Sequence, residues 1–348
     1  MSFKVFLYSF LIIIIAAAIS IFSYYSDIST PANSAGNPLK FTVASGDGVK
    51  KIGQNLLKAG LIKSALHFEI YIWQTKNSGN IQAGDYQLSA KMTVKDIVAA
   101  FAGGKTISEE KQITIIPGWD LRDISQYFQA QGIASATGVY QLTGAPLKKY
   151  TANQLPDYSA KFSVLADKPK TYGLEGYLFP DTYRIFKNAT AQDVVEKMLG
   201  NLDAKFTPTM RSDAGKEGET IYQIITLASI IEKEVRNTDE MKTVSGIFWN
   251  RLKIGQALGS DATLSYILGD STAAHTTAQT KINSPYNTYL NAGLPPGPIC
   301  SPSLDAITAA IYPAATDYYY FLTNPATGKT IFAKTLEEHN KNKAKYLK

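Results

Sequence analysis

Apolar side chains fill the start of the chain without interruption. From Val5 to Ser26 no residue is charged, and Phe6 to Phe22 reads FLYSFLIIIIAAAISIF. These 22 residues, wound as a helix at ~1.5 Å per residue, reach roughly 33 Å, enough for a bilayer core. Tyr24 and Tyr25 follow, where interfacial aromatics are favoured. A cleaved signal peptide fits less well. Ala16-Ala17-Ala18 could supply small residues for cleavage, but the apolar run continues through Ile19, Ile21 and Phe22, beyond a typical h-region. The segment reads as an uncleaved anchor over 1–26. Lys4 precedes it and no Lys or Arg occurs from Asp27 to Leu39, which puts the N-terminus in the cytoplasm and the bulk of the chain outside. Residues 27–38, DISTPANSAGNP, are rich in Ser, Pro, Asn and Gly and predict a linker.

Mixed periodicities follow. Phe41-Thr42-Val43 predicts a short strand, and Val49 to Ala59 has apolar residues at helical spacing, ending at Gly60. A second helix is predicted near Ser64 to Gln74, a strand at Gly84 to Leu88, and a helix over Val94 to Phe101 capped by Thr93 and stopped by Gly103-Gly104. Farther on, Ile113 to Ile116 predicts a strand, Pro117-Gly118 a turn and Leu121 to Phe128 a helix. Ala136 to Lys170 mixes aromatics with Lys and Pro and predicts no element. Phe248 to Leu252 looks helical. Asp317 to Thr323, the turn at Asn324 to Lys329 and Thr330 to Ala333 predict a hairpin. The fold class is therefore α+β.

Composition narrows the chemistry. At 348 residues, with 45% hydrophobic and 18% charged, the chain has roughly two domains beyond the anchor and can bury their cores. One cysteine, Cys300, excludes an internal disulfide framework and a multi-thiolate metal site. Three scattered histidines make a His-rich metal site improbable. No cofactor is expected. The net charge of +6 suits an anionic membrane surface or a carboxylate-bearing polymer and falls short of a nucleic-acid binder.

Three clusters could carry chemistry. Leu174 to Tyr183, LEGYLFPDTY, joins Glu175 and Asp181 to aromatics such as Tyr177 that could cover sugar faces, or else forms a turn whose carboxylates cap backbone groups. Thr220 to Val235 predicts a buried helix containing Ser229 and ending in Glu232 and Glu234. At ~100° per residue those two carboxylates lie about 200° apart, so they cannot share one cleft. Each sits beside apolar side chains, and burial raises a carboxyl pKa, as a general acid near neutral pH requires. Alternatively both are solvated and pair with Lys233 or Arg236. The third cluster, Gly246 to Asp261 with Ser284 to Ser303, offers Asn250 and Arg251 on the helical stretch, the Ser260-Asp261 pair, and Tyr286 and Asn287 on a rigid polar loop, or is only a stiff surface connection.

The stretches EGYLFPDTY, ASIIEKE, NRLKIG, SPYNTY, GLPPGPI and TLEEHN occur in the order found in the YceG-like (MltG) endolytic murein transglycosylases, and the chain resembles that family from Phe41 to the C-terminus. Gln82 to Lys105, QAGDYQLSAKMTVKDIVAAFAGGK, resembles part of the LysM-like domain that adjoins the anchor there. The resemblance implies a LysM-like domain at 39–108 and a transglycosylase domain at 109–348. It implies a lyase that cuts the MurNAc–GlcNAc β-1,4 bond within nascent peptidoglycan strands and leaves 1,6-anhydro-MurNAc ends. It carries the catalytic role to Glu234, a choice that helix arithmetic leaves open. Glu175, Tyr177, Asp181, Ser229, Glu232, Asn250, Asp261, Tyr286 and Asn287 are expected to bind substrate. Penicillin-binding synthases are expected partners, and the location is the bacterial cytoplasmic membrane. Two other functions fit: a non-catalytic scaffold that recruits synthases, and a muramidase using water with Glu175, Asp181 or Asp261 as second carboxylate. The chain departs from the family's common pattern at Gly259, where Gln is usual, at Ala262, where Pro is usual, and at Pro117, where Glu is usual.

Overall fold

The computed structural model describes residues 3–34, 37–104, 110–151, 153–270, 272 and 275–347. Its fold is mixed α+β and divides into two units, Met1–Glu109 and Glu110–Lys348. The expected domain boundary between residues 108 and 109 lies outside the described residues.

In the first unit, α1 (Phe3–Ser29) contains a stretch, Leu7–Ser29, long and apolar enough to cross a membrane. The helix does not stop at Ser26. It continues through Asp27 to Ser29, which corrects the expected start of the linker. Two causes are visible. Tyr24 and Ile28 are buried in the same core as Phe41, Leu56 and Phe68. Pro31 then disfavours helical backbone at Thr30. Within the expected linker, Ala35 and Gly36 lie outside the described residues.

The remainder of this unit follows the predicted order: β1 (Leu39–Val43), α2 (Val49–Lys58), α3 (Ala65–Gln74), β2 (Gly84–Leu88) and α4 (Val94–Ala102). β1 and β2 pair antiparallel, with Phe41 opposite Tyr86. Thr93 and Asp96 form a reciprocal capping box on α4, so two otherwise unpaired donors are satisfied.

The second unit opens with β3 (Glu110–Thr114), earlier than the expected Ile113–Ile116. Its limits are set by its partner β4 (Thr182–Phe186), which pairs from Glu110↔Phe186 to Thr114↔Thr182. Ile115 adds one further bond to the Asp181 carbonyl before Pro117. Two helices follow β3, α5 (Leu121–Ala130) and α6 (Ala136–Thr143). α6 and a short 3₁₀ turn at Ser163–Leu165 fall where the sequence predicted nothing. Eight residues give too few turns for α6 to show a period. β4 leads into α7 (Ala191–Lys205) and α8 (Pro208–Lys216).

At the centre stands α9 (Ile221–Glu234), on which every residue from Ile224 to Ile231 is buried. A helix apolar on all sides needs neighbours on all sides. α8, α10 (Thr238–Lys253), α11 (Asp261–Leu268) and α12 (Leu304–Ile311) supply them. Each fully buried Ile or Leu contributes ~1.5–3 kcal/mol relative to exposure. The helix seen at Phe248 to Leu252 is only the end of α10, whose first turn is polar and capped by Asn237. At Gly246 a Cβ would lie 2.3 Å from the Ala314 carbonyl oxygen, so α10 meets the incoming chain backbone to backbone. The hairpin of β5 (Tyr320–Thr323) and β6 (Thr330–Ala333) precedes α13 (Leu336–Tyr346).

Candidate active site

α9 ends in two glutamates whose surroundings differ completely. Glu232 turns toward α12, where it accepts the backbone N–H of Ser303 at 2.9 Å and also the Ser303 hydroxyl. Ser303 caps α12, so Glu232 fastens one helix end to another. Glu234 turns toward α11. It accepts the hydroxyl of Ser260, the residue that precedes α11. The alternative in which both pair with Lys233 or Arg236 is not what forms. Lys233 Nζ instead donates to the Gly118 carbonyl at 3.3 Å.

Burial raises the Glu234 carboxyl to about 6. The Ser260 hydroxyl opposes that rise, the Asp261 carboxylate adds to it, and Arg251 opposes it. Such a group holds its proton through part of the neutral range and can give it up or take it back. Asp261 is fixed by the Tyr289 hydroxyl, which donates to Oδ1 at 2.8 Å. Arg251 is buried and directed by the Tyr319 carbonyl at 2.7 Å and the Leu258 carbonyl. Its guanidinium lies 5.3 Å from the centre of the Tyr320 ring.

A cleft of about 300 Å³ is lined by chain neighbours of this group and not by Glu234, Ser260 or Asp261 themselves. Its walls include Lys233 and Ala262, the chain neighbours of Glu234 and Asp261, with Gly118, Asp120, Arg122 and Tyr266. Arg122 is held by Asp120 at 2.6 Å and by the Tyr266 carbonyl at 2.8 Å. Among the described residues no group of His, Cys, Asp and Glu could hold a metal ion.

Glu175 joins a second, buried group. It accepts the Leu121 N–H at 3.1 Å and the Tyr266 hydroxyl at 3.0 Å. The capping alternative is therefore realised for this residue, at the start of α5. Burial first, then Asp120, pushes its carboxyl up to about 8, against Tyr266 and Leu121. Gly176 holds it there with φ of +81°, a conformation glycine adopts freely, where a Cβ would sit 2.4 Å from Pro298. The Tyr286 ring packs 5.2 Å from Tyr266, so this group meets α11 from its other side.

Most of the other expected contacts are buried or half-buried, and Asp181 is exposed. Tyr177 is fully buried in the core. Ser229 is buried, donating to the Thr226 carbonyl and accepting from Ile299. Asn250 donates to the Thr316 carbonyl at 2.8 Å and ties α10 to the chain before β5. Asn287 is buried and donates to the carbonyls of Thr280 and Ile282 at 3.0 and 2.8 Å. Asp181 accepts Asn201 at 2.9 Å and its neighbour's N–H at 2.7 Å. In four of them, Ser229, Asn250, Asn287 and Asp181, polar atoms bond to the chain itself, whereas the buried Tyr177 hydroxyl has no partner among the described residues.

Ser260, Tyr289 and Tyr266 were missed, although Ser260 stands in the Ser-Asp pair and Tyr289 in the SPYNTY loop. Gly259 has φ of +57°, and a Cβ there would lie 3.8 Å from the Tyr289 ring. The usual Gln would thus pack beside the tyrosine that holds Asp261.

Residues 41–345 match the YceG-like family. The chain is 32% identical to an endolytic murein transglycosylase of Streptococcus pneumoniae over 99% of its own length, and spans 65% of that relative. It is 32% identical to an endolytic murein transglycosylase of Bacillus subtilis, over 89% of this chain and 85% of that one. A crystal structure of a YceG-like protein from Listeria monocytogenes is 30% identical, with a TM-score of 0.57 over 88% of this chain and 99% of that one.

Proposed function

The chain belongs to the YceG-like family, and from that premise we propose that it is a lytic transglycosylase acting on peptidoglycan from a membrane anchor. The observation that carries the reading is the Glu234 carboxyl at the end of α9, raised to about 6 by burial and aimed by Ser260. In the first step Glu234 gives its proton to the glycosidic oxygen as the bond to muramic C1 breaks. In the second the carboxylate takes the proton of the muramic 6-hydroxyl, whose oxygen bonds to C1. The products are a free 4-hydroxyl on one side and a 1,6-anhydro end on the other. No water is consumed, and Glu234 returns to its starting state.

Asp261 supports a second reading, a muramidase, since a second carboxylate next to Glu234 could activate water. Product analysis separates the two. Full-length protein in detergent is incubated with peptidoglycan and the ends are identified by mass spectrometry. Anhydro-muramic ends support the transglycosylase, reducing muramic ends the muramidase. No new ends from folded protein would leave only a scaffold.

The single apolar helix fits a single-pass anchor. An orientation with Lys4 in the cytoplasm follows from the charge asymmetry, and such an anchor at the cytoplasmic membrane would keep cutting to nascent glycan near the bilayer. The order β1–α2–α3–β2 supports reading 39–108 as a LysM-like module and 109–348 as the catalytic domain. Glycan synthases remain the partners expected of an enzyme that ends strand growth.

A further inference from the structure

α3 is apolar on nearly every side, yet only part of it is covered. Its sequence is ALHFEIYIWQ, and Phe68 and Ile72 point into the core of the first unit. His67, Tyr71 and Gln74, spaced i, i+4 and i+7, define a second face. His67 and Gln74 bond to α1 from it: His67 Nδ1 lies 2.8 Å from the Asp27 carboxylate, and Gln74 accepts the Tyr24 hydroxyl. A third face, Leu66, Ile70 and Trp73, is turned about 100° from the second. On it Leu66 is 61% exposed and Trp73 is 78% exposed.

The bonds between the two helices set their levels. Lys63, just before α3, donates to the Thr30 hydroxyl at 2.7 Å. His67 meets Asp27, and Gln74 meets Tyr24. As α1 is followed back toward the bilayer, α3 is followed forward to its end. A hydrocarbon core of ~30 Å accommodates about 20 helical residues. Counted from the start of the uncharged run, its outer boundary falls near Tyr24 and Tyr25. Trp73 adjoins Gln74 and therefore lies at that boundary.

We infer that the C-terminal end of α3 is a second membrane contact, with Trp73 seated in the lipid headgroup layer beside α1. Tryptophan is favoured there because its ring is apolar and its N–H meets water and lipid carbonyls. Lys76, exposed two residues past the helix, adds a charge suited to anionic headgroups. The contact fixes how the first unit is tilted on the bilayer, which a single free-standing helix cannot do. It rests on α1 crossing the membrane, and not on the chemistry of Glu234.

The test uses full-length protein in vesicles of phosphatidylethanolamine and phosphatidylglycerol carrying bromine at shallow or deep acyl positions. The chain has three tryptophans, so the Trp73 emission is the difference between wild type and Trp73→Phe. Shallow bromine should remove roughly half or more of that component, and deep bromine clearly less. Trp73→Cys bearing an environment-sensitive fluorophore gives an independent depth, since Cys300, the only native thiol, is buried. Protein that floats with the vesicles while Trp73 is unquenched overturns the inference alone. Protein that does not float overturns the membrane span and the inference with it. Emission that responds to soluble glycan strands and not to brominated lipid also overturns it, and gives the face to sugar.

Discussion

The Ser260 hydroxyl donates to the Glu234 carboxylate, joining the last residue of α9 to the residue that opens α11. The bond reaches across 26 positions of sequence and aims a part-buried carboxyl whose pKa burial has raised. Glu234→Gln keeps the shape and an acceptor for Ser260 but cannot exchange the proton. Turnover of isolated glycan strands should fall roughly 10²–10⁴-fold with little change in thermal midpoint. Retained turnover would remove Glu234 from the mechanism.

The pH dependence has a definite sign. The proposed reaction begins with protonated Glu234, so kcat/KM should decline about tenfold per pH unit above about 6. Ser260→Ala removes a group that lowers this pKa and should move the limb to higher pH. Asp261→Asn removes one that raises it and should move the limb down. Rate profiles of the three proteins between pH 5 and 8 decide this. Limbs shifting the same way would contradict the electrostatic arrangement.

Glu175 makes a prediction about stability. Its folded-state pKa, about 8, exceeds the ordinary 4.5, so the fold prefers the neutral acid. Its contribution is complete below about pH 4.5 and is lost as pH rises toward 8, a change on the order of a few kcal/mol. Glu175→Gln resembles the neutral form and should flatten this dependence. Thermal unfolding of both proteins from pH 5 to 8 would show parallel curves if the idea is wrong.

Asn287→Ala leaves two part-buried carbonyls without their donor and should cost ~1–3 kcal/mol. Activity should fall as well, because the Thr288 hydroxyl next to it accepts the Ser260 N–H at 3.0 Å. Asn250→Ala should lower the unfolding midpoint and leave KM unchanged, since its amide meets only the chain. A raised KM for Asn250→Ala would restore it to the cleft.

Much of this arrangement was legible in the sequence. The apolar period of α9 fixed a buried helix, and 100° per residue separated Glu232 from Glu234 onto opposite sides. Thr93, Gly60 and the β5–β6 turn marked their elements through local backbone chemistry. What stayed hidden depends on contacts distant in sequence. An amide such as Asn250 or Asn287 has the same composition whether it meets a sugar or a carbonyl, and only the fold turns it inward. The extension of α1 beyond Ser26 likewise rests on His67 and the core of another segment. The strand near Ile113 was misplaced because its limits belong to its partner, Thr182–Phe186.

Glu234 closes α9, and helices end with their unpaired carbonyls gathered into a negative pole. An anion is poorly placed there. The helix that buries the residue therefore also helps keep its proton on before substrate is cut. Once the proton has gone to the leaving oxygen, the same field leaves the carboxylate unusually ready to recover one. In the proposed reaction that field serves the start and the end of the cycle, loading the proton before the cut and recovering one after it, at the expense of the step that gives the proton away.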